Sequence, residues 1–184
     1  MFDLNKKEAG SAVFNNGVAG KAVGVSITVE KRKVDEPDSY PDYKLVVSDE
    51  SGGMPINQGF YINEADDEKR QTMTYQRVKS IAEAVVPEDF VYPEVNGYID
   101  ALNTLFKVIK ENSDGKKVDV FVSYGYTAKP SKYLGLRMFN FIQKQGASFD
   151  RLKPSNSDIL ERPEADAPKA DGAGTQAKTS GDIW

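Results

Sequence analysis

Apolar and polar positions alternate from Lys21 onward. Val23, Val25, Ile27 and Val29 interleave with Gly24, Ser26, Thr28 and Glu30. Period two with β-branched residues predicts a half-buried strand. Lys31-Arg32-Lys33 extends it as a charged end. Two prolines in 35–42 make that stretch a loop, and Tyr43 to Val47 predicts a second strand. Ser51-Gly52-Gly53 is a turn, and Gly59 to Ile62 predicts a third strand. The period then changes. Met73, Arg77-Val78, Ile81 and Val85 sit at helical spacing across 64–86, with Asn63 or Asp66 as the cap and Pro87 as the stop. A second helix is predicted over 95–111, with Ile99, Leu102, Leu105, Phe106 and Ile109 on one stripe. Strands return at 117–126 and 133–142. In the first of these, Val118, Val120, Val122, Tyr124 and Tyr126 share a face. In the second, Leu134, Leu136, Met138 and Ile142 oppose Tyr133, Arg137, Phe139 and Phe141. Residues 1–19 read as a loose arm or cap.

Three strands, a helical insertion and two strands give a mainly β, α+β chain. That order is the order of an OB-fold, a five-stranded Greek-key barrel with its helix between strands 3 and 4. A generic α+β sheet with a helical layer has the same order. The expected division is a folded domain over 1–160 and a disordered acidic tail over 161–184.

The chain has 184 residues, of which 39% are hydrophobic, with part of that shortfall in the tail. About 160 residues can bury a core without metal or disulfide support. There is no cysteine and no histidine. Thiol nucleophiles, disulfide frameworks and nearly all zinc chemistry are thereby excluded, and the commonest general base is missing. No catalytic, metal or cofactor site is expected. No apolar run is long enough to span a bilayer, and the first residues lack the apolar stretch of a signal peptide. The expected location is the cytoplasm, or the cytoplasm of a host cell.

Net charge is −4, yet it is unevenly spread. Residues 116–153 hold eight bases and two acids, a local +6. From Pro163 the composition collapses to small, polar and charged residues, with no large apolar side chain until Ile183. Such a segment buries too little surface to offset the entropy of ordering. The only tryptophan is Trp184, beside Asp182 and Ile183. A short apolar anchor with acidic neighbours suits a small pocket with a basic rim, so Asp182, Ile183 and Trp184 are expected to dock on a partner.

A β-barrel body, an acidic linker and the ending Gly181-Asp182-Ile183-Trp184 together resemble single-stranded DNA-binding proteins, in particular those of phage. The likeness is one of layout. It implies a protein that coats and protects single-stranded DNA during replication, recombination and repair, and recruits replication or recombination proteins through its tail. It also allows a homo-oligomer. Sequence-neutral binding needs cations along the phosphates and exposed rings under the bases. Lys129, Lys132, Arg137 and Lys144 would supply charge, and Tyr124, Tyr126, Tyr133, Phe139 and Phe141 the rings. Lys31, Arg32, Lys33 and the Tyr40–Tyr43 loop would form the opposite wall. The tail would occupy this groove in the absence of DNA. An enzyme using Asp35, Asp38, Asp42, Asp49 and Glu50 is a rival without a recognisable metal spacing. A protein-interaction or virion structural module is the other.

Overall fold

The computed structural model describes residues 14–126, 134–148 and 152–161. Five antiparallel strands form one sheet: β1 (Gly20–Lys31), β2 (Tyr43–Ser48), β3 (Ile56–Phe60), β4 (Val118–Tyr126) and β5 (Leu134–Lys144). Their order across the sheet is β3-β2-β1-β4-β5. Helices α1 (Glu68–Val85) and α2 (Tyr98–Asn112) lie in sequence between β3 and β4. The sheet is open, but it curls far enough for its edge strands β3 and β5 to touch without forming a ladder.

β1 is the pivot. Its first half pairs with β4, Gly20 opposite Val122, and its second half pairs with β2, Lys31 opposite Tyr43. The register shifts between Ala22 and Val25, where Gly24 has φ +69°. A side chain at Gly24 would be strained there. The buried Asp119 carboxylate holds this bulge: it accepts the Gly24 N–H at 3.1 Å and meets Lys21 Nζ at 3.7 Å.

One face of the sheet makes the core. Val25, Ile27, Leu45, Val47, Val118, Val120 and Val122 are all buried there. The period-two pattern put Val25 and Ile27 of β1, and Val118, Val120 and Val122 of β4, on shared faces as found; Val23, expected beside Val25, precedes the Gly24 bulge and is exposed. Helix α2 covers this face with Leu102, Leu105, Phe106 and Ile109. Phe106 stacks on Tyr43 (centroids 4.1 Å apart, planes at 11°) and meets Phe60 edge-on at 5.2 Å.

Helix α1 packs on α2 and β5. Only its second half reaches the core, through Val78, Ile81, Ala82 and Val85. Met73, on the predicted apolar stripe, lies on the first half and is exposed. The cap is Asp67, whose side chain accepts the Arg70 N–H, in place of Asn63 or Asp66. Asn63 instead closes its own turn onto Ala65 N, and Asp66 pairs with Arg70. The stop at Pro87 holds, because the residue before a proline is driven to extended backbone and Val86 adopts it.

The third strand begins three residues earlier than the pattern predicts. The arm also joins the core, with Phe14 buried. Asn15 and Asn16 take left-handed backbone there, and the Asp49 carboxylate accepts the Asn15 N–H at 2.6 Å. Desolvation pushes the Asp49 carboxyl up. Bonds from the Ser51 hydroxyl and the Asn15 and Ser51 N–H groups outweigh it and leave that carboxyl below its ordinary range.

Candidate nucleic-acid interface

The β1–β2 connection, 32–42, is built around one guanidinium. Arg32 meets Asp42 at 3.0 Å and Asp38 at 3.2 Å, and reaches the carbonyls of Tyr40 and Pro37 at 3.4 and 3.5 Å. Its N–H donates to the Asp42 carbonyl at 2.9 Å. The second Asp42 oxygen accepts the Ile62 N–H at 2.7 Å, which ties the loop to the end of β3. Arg32 is thus the loop's internal brace. Lys31 and Lys33 flank it and are exposed.

A cleft of about 420 Å³ opens between this hairpin and the start of α2. Lys31, Arg32 and Lys33 line it, and so do Glu36, Asp38 and Asp42, so its formal charges balance. Tyr43 forms its inner wall. That ring is buried against Phe106, and its hydroxyl donates to Asn103 Oδ1 at 2.7 Å. Lys31 Nζ lies 5.7 Å from the ring centroid. Tyr43 presents no open face for a base.

Tyr124 is also spent internally. It is buried, its hydroxyl donates to the Gly17 carbonyl, and its N–H donates to the Ile159 carbonyl at 2.9 Å. This bridge attaches the chain end of the described region beside β4, where β1 has not yet begun. Arg137 lies opposite Ser123 on the face away from the helices and is half-exposed. Between Val120–Ile142 and Val122–Met138 the register shifts, so β5 bulges through Phe139 and Phe141. Simple alternation therefore does not assign their faces. Lys144, at the far end of β5, pairs across to Val118. Lys129, Lys132 and Tyr133 lie outside the described residues, as do Asp182, Ile183, Trp184 and the Tyr126 side chain.

The structure thus gathers Lys31, Arg32, Lys33 and Tyr43 at one end of the β1–β2 ladder. Arg137 and Lys144 sit at opposite ends of β5.

Two residues outside that set stand on the face away from the helices. Tyr61 follows the core residue Phe60 and is 58% exposed. Lys44, opposite Gly59, lies between the buried Tyr43 and Leu45 and pairs with Glu30 at 2.5 Å. Alternation sets both residues on the face opposite Phe60, Tyr43 and Leu45, but does not say which face α2 covers.

Arg32→Ala is expected to lower folding stability by about 1 kcal/mol, since half-exposed ion pairs contribute little beyond that. The Asp42 arm carries most of it, because the Asp38 side chain is fully solvated. Urea denaturation measures this. A variant of unchanged stability would mean that Arg32 does not brace the loop.

Among the described residues no cluster of carboxylates is placed to hold a metal ion, and no helix is long and apolar enough to cross a membrane. Compared with known proteins, the chain matches no family model, no curated protein and no solved structure.

Proposed function

We propose that this chain binds single-stranded DNA through an OB-like body. One observation carries the reading: the strand order β3-β2-β1-β4-β5, with the edges of β3 and β5 in contact and the helices between β3 and β4. Closing that order through β3 and β5 gives the ring of an OB-fold. Such folds bind oligonucleotides on the face of strands 2 and 3, between the β1–β2 and β4–β5 connections.

In this chain Lys31 ends β1 and Lys33 follows in the first connection, and the second, 127–133, carries Lys129 and Lys132. Antiparallel β1 and β4 put the two connections at opposite ends of the sheet. They would bracket the face away from the helices, where Lys44, Tyr61 and Arg137 stand. Cations at the rim would track phosphates, and stacking would tolerate any base. Nothing in this reading requires a catalytic step or a cofactor. The chain would coat and protect single strands in replication, recombination or repair. Asp182-Ile183-Trp184 would recruit the proteins that act on them.

A second reading keeps the fold without nucleic acid, as a protein-interaction or virion structural module. The charge balance of the β1–β2 cleft favours it, since a phosphate-tracking wall is ordinarily cationic.

Fluorescence anisotropy separates the two. A labelled oligo(dT) is expected to bind well ahead of a duplex of equal length. No binding, or equal binding to both, would overturn the single-strand reading and leave the module.

A further inference from the structure

Resting on the single-strand reading, we propose that Tyr61 is a stacking subsite for one nucleobase on the face of β2 and β3 away from the helices.

The rings first chosen from the sequence are committed elsewhere where their side chains are described. Tyr43 and Tyr124 are buried, with their hydroxyls bonded inside the protein. Tyr61 and Tyr40 are 58% and 51% exposed. A base needs an open ring face, and these two tyrosines offer one.

Tyr61 is also held in place. Phe60 before it is buried in the core, and the N–H of Ile62 after it is bonded to Asp42. The backbone is therefore fixed on both sides of the ring. Its hydroxyl donates to the Ser39 carbonyl at 3.4 Å, in the residue just before Tyr40. Underneath lies Gly59. A Cβ there would sit 3.1 Å from Pro41 Cβ and 3.9 Å from Tyr61 Cε2. Glycine lets Pro41 approach the strand closely beside the ring. A ring ordered before binding loses little entropy when a base stacks on it.

Charge stands alongside. Lys44 is opposite Gly59 in the ladder, on the same face. Its partner Glu30 is more than half exposed, so a phosphate can exchange for it. One ring and one adjacent cation are the minimum unit of sequence-neutral recognition: a base on the tyrosine and its phosphate on the lysine.

The test is oligo(dT) affinity of Tyr61→Ala, Tyr61→Phe and the exposed α1 control Tyr75→Ala, each at two salt concentrations. Tyr61→Ala is expected to bind roughly 5- to 100-fold more weakly with an unchanged salt slope, since a stack and no phosphate contact is lost. Tyr61→Phe keeps the ring and is expected to bind like the parent, as is Tyr75→Ala. Lys44→Ala is expected to flatten the log–log salt slope by about 0.7. A parent that binds with Tyr61→Ala at equal affinity overturns the subsite and leaves the single-strand reading standing. Equal losses in Tyr61→Phe and Tyr61→Ala overturn stacking in favour of the hydroxyl. A parent that binds no single strand removes the reading and the subsite together.

Discussion

Phe106→Ala is expected to lower folding stability by about 3–5 kcal/mol. Phe106 is 1% exposed and joins α2 to β2 and β3. Its ring lies flat on Tyr43 and edge-on to Phe60, so one truncation breaks two aromatic contacts on two strands. The space would not close easily, because α1 packs against α2 and limits its shift. Domains of this size are stable by roughly 5–15 kcal/mol, so the loss is a large share of the total. Urea denaturation would show a midpoint lowered by roughly 2 M, for an ordinary slope of 1–3 kcal/mol/M. Phe106→Leu, which retains most of the volume, should lose much less. A fall of under about 1 kcal/mol for the alanine variant would mean that α2 does not carry this face of the core.

Binding of oligo(dT) is expected to weaken about 50- to 300-fold between roughly 50 and 200 mM salt. On the proposed path, the described structure offers Lys31, Lys33, Lys44 and Arg137, and the 127–133 connection adds Lys129 and Lys132. Four to six phosphate contacts on a single strand give a log–log slope of about −3 to −4, and a fourfold rise in salt gives that range. The acidic segment from Pro163 bears on the same measurement. It carries four acids and two lysines, a net −2 against the cationic rim. A chain ending at residue 162 is expected to bind several-fold more tightly at the lower salt, and equally at the higher, where screening removes the competition. Unchanged affinity at both salts would mean that the segment does not compete for the groove. A slope near zero would remove the phosphate-tracking rim itself.

Strand and helix identities were legible because each is a local property. Alternation in β1 and β4 and the stripe of α2 named Val25, Ile27, Val29, Val118, Val120, Val122, Leu102, Leu105, Phe106 and Ile109 of the core before any contact was known. Val86 ends α1 because Pro87 follows it, a constraint between neighbours in the chain. The +6 segment and the polar composition after Pro163 are likewise properties of residues counted along a line.

Only the tertiary structure decided what the candidate residues do. Tyr43 and Tyr124 have the composition of a stacking ring, but Phe106 and Gly17 claim them from far away in sequence. Arg32 looks like one of three equivalent cations. The fold of 32–42 brings Asp38 and Asp42 around it alone and leaves Lys31 and Lys33 to solvent. Asp119 alternates with the core valines of β4, and is a buried clasp because β1 bulges at Gly24 beside it. Tyr61 was passed over because its exposure depends on which face of β3 turns toward α2. Sequence fixes a side chain's type and its alternation. Its burial and its partners depend on chain segments that only folding brings together.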